Sequence, residues 1–439
     1  YVQNHGTFND IWFNSVGLLY HNNVVNKITF NGAGTIQHGG CTIDTVYFNS
    51  STTASVINNA SSGCTFGLVV MAGDGTVNRS NTFDKLVLAE GKSYTFQATY
   101  TQTFLTSLTA VGTCFLPINL QSGTAGSQAT FSKASGTITV DFVSLKDMNA
   151  TGGATFIANN SFDLGNNTGW TINTPASEKL YWVGGSGNWN DAAHWSYSSG
   201  GVGGACLPTI SDSVYFDAAS FSGTGQTVTL VGDANDNANC KYMDWTGALY
   251  SPTLAGASTV NLRIYGSLKL ISAMNLNFLG YVVFEATSAG NTVTTGNRGF
   301  KNNIYFSGAG GEWTLLDSLK VAVADKYVYF NNGTLNTNGQ AVVTPLFRSN
   351  VTTVRTLNLG SSIITVTDAS NADAWYVNGT NMTINPGTSL IRFTGSSSGL
   401  NSINTGMNYH DIEFTAASGT CYVQNHGTFN DIWFNSVGL

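Results

Sequence analysis

The chain has 439 residues with 17 Lys and Arg against 24 Asp and Glu, a formal charge of −7, and only 9% charged residues. No apolar run approaches the ~18 residues of a membrane-spanning helix, and the clustered basic residues that a phosphate backbone demands are missing. Disorder is excluded by 18 Tyr, 25 Phe and 9 Trp, and the 50 glycines among Asn, Ser and Thr point to β structure outside the cell.

Residues 1–18 read YVQNHGTFNDIWFNSVGL, and residues 422–439 read the same letter for letter. The identity predicts tandem repeats of 421 residues, of which the chain carries one full copy and an overlap. A quartet then recurs in which a polar residue precedes Ile or Val, one further residue, and Phe. It stands at Asp10–Phe13, Lys27–Phe30 and Thr45–Phe48, with weaker copies at Thr65–Leu68 and Lys85–Leu88. Residues two apart on a strand share a face, so each quartet puts two large groups inward. The nearly even interval between first members at 10, 27, 45, 65 and 85 predicts a parallel β-solenoid, right-handed by the usual rule for parallel crossovers. Stacked coils lie about 4.8 Å apart, where columns of like charge repel, which accounts for the scarcity of charge. The Gly and Asn content suits corners that need positive φ.

Composition changes at 173–210. A polar stretch with Pro175 precedes Trp182, Trp189 and Trp195, and these tryptophans predict a cap over the first coil, with carbohydrate stacking on their rings as the alternative. The solenoid texture resumes over 211–421, with Asn303–Phe306 and Tyr327–Phe330 24 residues apart, and reaches Asp411–Phe414 and the copied quartet Asp431–Phe434. The chain thus divides into solenoid (1–172), linker and cap (173–210), solenoid (211–421), and the copy of the opening segment (422–439). About 20 coils per repeat would advance on the order of 100 Å.

Six cysteines occur without a CxxC pair, which disfavours zinc-ribbon and redox readings. Cys41 with Cys64, and Cys206 with Cys240, are the candidate disulfides, placed to resist peeling of coils; small buried thiols are the alternative. His410, His426, His21 and His38 follow one another at 16, 16 and 17 residues when read through the repeat junction, His5 being the counterpart of His426. Such a column could share a metal ion, against the plainer reading of polar corner residues. Calcium is weighed at the clusters Asp233, Asn235, Asp236, Asn237 and Asp368, Asn371, Asp373, but neither has the pattern of an EF-hand loop, and ordinary turns are favoured. No cofactor is expected.

The segment from Trp182 to Trp195 resembles the WVGGxGNWxDxxHWS element of giant repetitive cell-surface proteins of Bacteroidota, and Ser127–Trp170, Asp212–Phe221 and Gly308–Leu315 share that texture. The resemblance implies type IX secretion and a surface filament or adhesin related to gliding. The residues themselves lead to a non-catalytic extracellular filament on the cell surface. Its partners would be further copies end to end, fibres alongside, and glycans or surfaces, with no nucleic acid and no membrane span in this segment. The rival readings are a carbohydrate-binding protein and a polysaccharide-cleaving β-helix, but no dense cluster of acids stands in a strand context. Thr-x-Thr does not recur in register, so an ice-binding face is set aside.

Overall fold

The structure, a computed structural model, describes residues 7–20, 24–37, 40–58, 63–233 and 236–435. It is a parallel β-solenoid of about 18 turns, with 51% of the chain in strands and no α-helix among the described residues. The chain forms two compact units, 1–176 and 177–439, each with its own apolar core.

In the first unit, the quartets lie within strands such as Thr7–Phe13, Val24–Phe30 and Thr42–Phe48, which stack in an eight-stranded sheet. A second eight-stranded sheet runs from Gly17–Tyr20 through Gly34–Gln37 to Phe162–Asp163. From Thr137 onward a third sheet, of three strands, joins them. Ile11 faces Ile28 and Ile28 faces Val46 across the rungs. The first turns thus advance by 17 and 18 residues, the separations of the bonded pairs Asn14–Asn31 and Asn31–Asn49. Phe13, Phe30 and Phe48 stack ring on ring at 4.8 and 5.0 Å, within 5° of parallel.

That aromatic column dictates glycine opposite. A Cβ at Gly34 would stand 2.5 Å from Cγ of Phe30 and 2.7 Å from Cδ1 of Phe48. Gly34 therefore opens a strand instead of turning a corner, and its neighbours in the rung column are Gly17, Ser55 and Gly75. The weaker quartet at Thr65–Leu68 is out of register, because Val46 faces Val69 and Phe48 faces Met71. That longer step equals the 23 residues between Cys41 and Cys64. Ile43 has Phe66 as its partner instead. Strand Thr65–Met71 thus carries three inward residues, Phe66, Val69 and Met71, and the first of them imitates the start of the motif.

The second unit has wider turns, because most contain three strands. Its sheets hold ten, four, nine and seven strands. Met243 faces Leu268 and Arg355 faces Met382. Such steps are 25 and 27 residues long, as between the bonded pairs Ser267–Thr292 and Asn358–Asn385. Longer turns than the quartet spacing implies explain why there are fewer than 20. The extra room is filled by Trp245, Trp313 and Trp375, all buried. Beyond Met382–Asn385 the ten-stranded sheet ends and the turns narrow again, with Asp411 facing Asp431. Asn408 and Thr428, bonded across the same step, are 20 residues apart.

Asparagine has a second role besides its six positive-φ positions among the described residues. Asn49 donates to Asn31 and Asn31 to Asn14, at 3.0 and 3.1 Å. Asn385 donates to Asn358 and Asn358 to Asn336, at 2.6 and 2.5 Å. An amide has both donor and acceptor, so such a column satisfies itself without charge.

Candidate functional site

The tryptophan segment opens the second unit. Strand Lys179–Trp182 pairs in parallel with Ser213–Tyr215 on one side and antiparallel with Trp195–Ser196 on the other. The antiparallel strand is the edge of its ten-stranded sheet, and its reversed direction cannot template a further parallel coil. A short 3-10 turn, Ala192–His194, carries the chain back, with Asp191 accepting from the Ala193 amide at 2.9 Å. Trp182, Trp189 and Trp195 are 0%, 3% and 0% exposed. Trp195 meets Trp182 and Trp189 edge to face at 5.1 and 4.9 Å, and His194 stacks on Trp182 at 4.8 Å. Two of the three buried indoles donate within the segment: Trp182 Nε1 to the Gly185 carbonyl and Trp195 Nε1 to the Trp189 carbonyl, each at 2.7 Å. A Cβ at Gly187 would stand 2.0 Å from His194 Nε2, which explains the glycine before Asn188 and Trp189. No ring face is left for a sugar, so carbohydrate stacking on these three residues is corrected to packing over Phe216 and the core beyond it.

The candidate metal ligands do not assemble into a site within the described residues. His5, His21 and His38 lie outside them, as does the side chain of His426. His410 is described, with Nδ1 3.1 Å from Asp411 Oδ2. Among the described residues no group of three His, Cys, Asp or Glu could hold a metal ion. In the calcium candidates the acids close local turns: Asp233 accepts from the Asn237 amide at 3.1 Å, and Asp368 from the Ser370 amide at 3.0 Å. Asp373 accepts from Asn401 one turn away at 2.8 Å, and Asn235 lies outside the described residues.

Cys41 and Cys64 form a disulfide between adjacent turns, with Cα atoms 4.6 Å apart. The pairing of Cys206 with Cys240 is corrected. Cys206 is disulfide-bonded, but Cys240 is a free thiol. Cys240 ends strand Asn237–Cys240 pointing into the core with no exposure, and burial pushes its thiol up. Sequence separation could not reveal which face of the strand it occupies.

No family model, no curated protein and no solved structure matches this chain. Its surface must therefore be read from its own chemistry. Two ion pairs bridge neighbouring turns: Arg263 meets Glu285 and Arg392 meets Glu413, both at 2.5 Å. Tyr265 lies against Glu285 as well, and burial with that carboxylate pushes its hydroxyl pKa up. This group brings a carboxylate, a guanidinium and a phenol together, but each answers the others. Two shallow, open hollows of about 350 Å³ each lie elsewhere, around Thr7, Asn9 and Asp44 and around Asn275, Asn277 and Arg298.

A tyrosine column escaped the sequence reading. Tyr305 and Tyr329 stack at 4.6 Å within 4° of parallel, Tyr281 meets Tyr305 at 5.5 Å, and Arg348 lies over Tyr327 and Tyr376. Their 24-residue spacing was the signal. Rings stacked on each other show their edges outward, so the column braces neighbouring turns and offers little flat area to a sugar. Arg355, only 1% exposed, was also missed. It donates to Ser349 Oγ at 2.6 Å and to the carbonyls of Thr353 and Thr380 at 2.8 and 3.0 Å, clamping two turns together.

Proposed function

We propose that this chain is a length of a non-catalytic extracellular filament or stalk, built from tandem 421-residue solenoid repeats and carried on a cell surface to give reach and attachment. One observation carries the reading. The identical segments at the two ends both enter solenoid sheets, as Thr7–Phe13 in the first unit and as Tyr422–Thr428 and Asp431–Phe434 in the second. A solenoid lengthens by adding turns without changing its cross-section, so duplication of whole units gives reach at no cost in fold. The disulfide fits an oxidising compartment. The resemblance to Bacteroidota surface proteins supports an adhesive role and type IX secretion. A polysaccharide-cleaving role has weaker support, because the two carboxylates paired with Arg, Glu285 and Glu413, lie outside the two hollows.

Electron cryo-microscopy of fibres taken from the source cells tests this reading. A tandem solenoid predicts layers about 4.8 Å apart along the fibre axis, with a longer axial repeat set by the 421-residue unit. Compact particles with no axial repeat would sink it.

A further inference from the structure

The opening segment occurs twice in one chain, and each copy shows a different one of its two neighbours. In the second unit, Asp431–Phe434 stacks after Asp411–Phe414, with Ile412 facing Ile432 and Phe414 facing Phe434. In the first, the same residues stack before Val24–Phe30, with Ile11 facing Ile28 and Phe13 facing Phe30. We propose that the last coil of one copy and the first coil of the next are one and the same, so that Asp431–Phe434 is covered by Val24–Phe30 of the following copy in the register seen for Asp10–Phe13.

Donors and acceptors on the shared coil are used once each. The Asn435 side chain donates to Glu413 at 2.7 Å, while its counterpart Asn14 accepts from Asn31 at 3.1 Å. Asn430 donates to Asp411 at 3.1 Å, while its counterpart Asn9 accepts from Asn26 at 3.3 Å. The backbone follows suit: the Asn435 amide donates to the Phe414 carbonyl, and the carbonyl of Phe13, the counterpart of Phe434, accepts from Asn31. None of these groups competes with another when the two environments are merged.

Apolar packing and charge agree. Phe393, Phe414 and Phe434 stack at 4.9 and 5.3 Å, and Phe13, Phe30 and Phe48 at 4.8 and 5.0 Å. Merging makes one column of five rings. Phe434 is 60% exposed and Phe13 only 9%, so a following coil has a large apolar ring to cover. Asp411 faces Asp431, an unfavourable pair, whereas Asp10 faces Lys27. In the merged column Lys27 follows the two acids and offsets their repulsion. Turn width matches as well, with steps of 20, 17 and 18 residues running through the joint.

This inference rests on the tandem reading, and a rearranged chain separates the two. Residues 177–439 run directly on into residues 19–176, so every coil occurs once and the break falls between the compact units. Asn26→Cys and Asn430→Cys, with Cys421→Ser to remove a partly exposed thiol, are placed in it. The expected result is one cooperative thermal transition and an oxidised 26–430 bond in most molecules. Folding with two transitions and no such bond overturns the shared coil, while the axial repeat of native fibres still decides the filament reading. Should the rearranged chain not fold, the same three substitutions in a chain of residues 19–439 decide, because removal of 1–18 uncovers Val24–Phe30 for the last coil of another molecule. Covalent multimers on oxidation sustain the joint, and monomers alone overturn it.

Discussion

Narrow turns in residues 1–176 and wide turns in 177–439 solve the same problem with different side chains. The first turns of unit one, 17 and 18 residues long, hold stacked Phe rings against a column of Gly and Ser. The wide turns hold Trp245, Trp313 and Trp375 and clamp a buried Arg355. No tryptophan of the first unit is buried to that degree: Trp12 is 60% exposed, and Trp170 lies in its last strand, half-buried. Turn length thus sets what can fill the interior, and the interior in turn restricts the facing residue. Where rings stack in a narrow turn only glycine or another small residue fits, whereas a three-strand turn has room for an indole.

Large-to-small replacement should hurt the wide turns most. Trp313→Ala leaves a cavity among Phe284, Phe306 and Leu315, and is expected to cost about 3–5 kcal/mol by chemical denaturation of the second unit. A loss under about 1 kcal/mol would mean that wide turns collapse around a gap, and that their width is not held by the indole. Removing the disulfide with Cys41→Ser and Cys64→Ser tests the narrow turns. The loop it closes spans 23 residues, so the expected loss is about 3 kcal/mol, confined to the melting of the first unit. Gly34→Ala adds a methyl where two rings already stand, and overpacking of that kind costs about 1–3 kcal/mol. Neutral behaviour in thermal unfolding would show that the Phe column can slide, and would break the link drawn between turn width and glycine.

How far these features were legible depends on whether a signal was local. The quartets at Asp10, Lys27 and Thr45 are visible because two inward residues at i and i+2 repeat before the turn length changes. The Thr65 quartet misleads because its strand has three inward residues, and sequence spacing cannot tell which two continue the column. Cys41 and Cys64 were readable as neighbours one turn apart, but Cys240 faces the core, and facing depends on strand register. The tryptophans announced an end structure, yet whether their rings lie in or out is settled by the antiparallel return of Trp195–Ser196. The asparagine columns had a signal that went unread: Asn14, Asn31 and Asn49 follow the quartets at the same spacing. In the second unit, step lengths change from turn to turn, and periodicity there is a property of the register more than of the sequence.

The smallest expected effect concerns acidity at the narrow end of the second unit. The hydrogen bond from Arg392, with that from Asn435, holds the Glu413 carboxyl below its usual value of 4.5. A carboxylate whose pKa is lower in the folded chain binds fewer protons there than when unfolded. Its contribution is therefore complete above about pH 4.5 and is lost as pH falls through the folded value. The pair is partly exposed, so the effect is on the order of 0.5 kcal/mol. Hydrogen-exchange protection of the amides in Asp411–Phe414 and Asp431–Phe434, compared with that of Thr42–Phe48, should drop between pH 6 and pH 3. In Glu413→Gln the amide oxygen still accepts from Asn435 but the charge is gone, so the extra loss should disappear. An equal drop in both strand groups, unchanged by Glu413→Gln, would show that acid acts on the narrow turns at large, and that the last coils owe nothing particular to this ion pair.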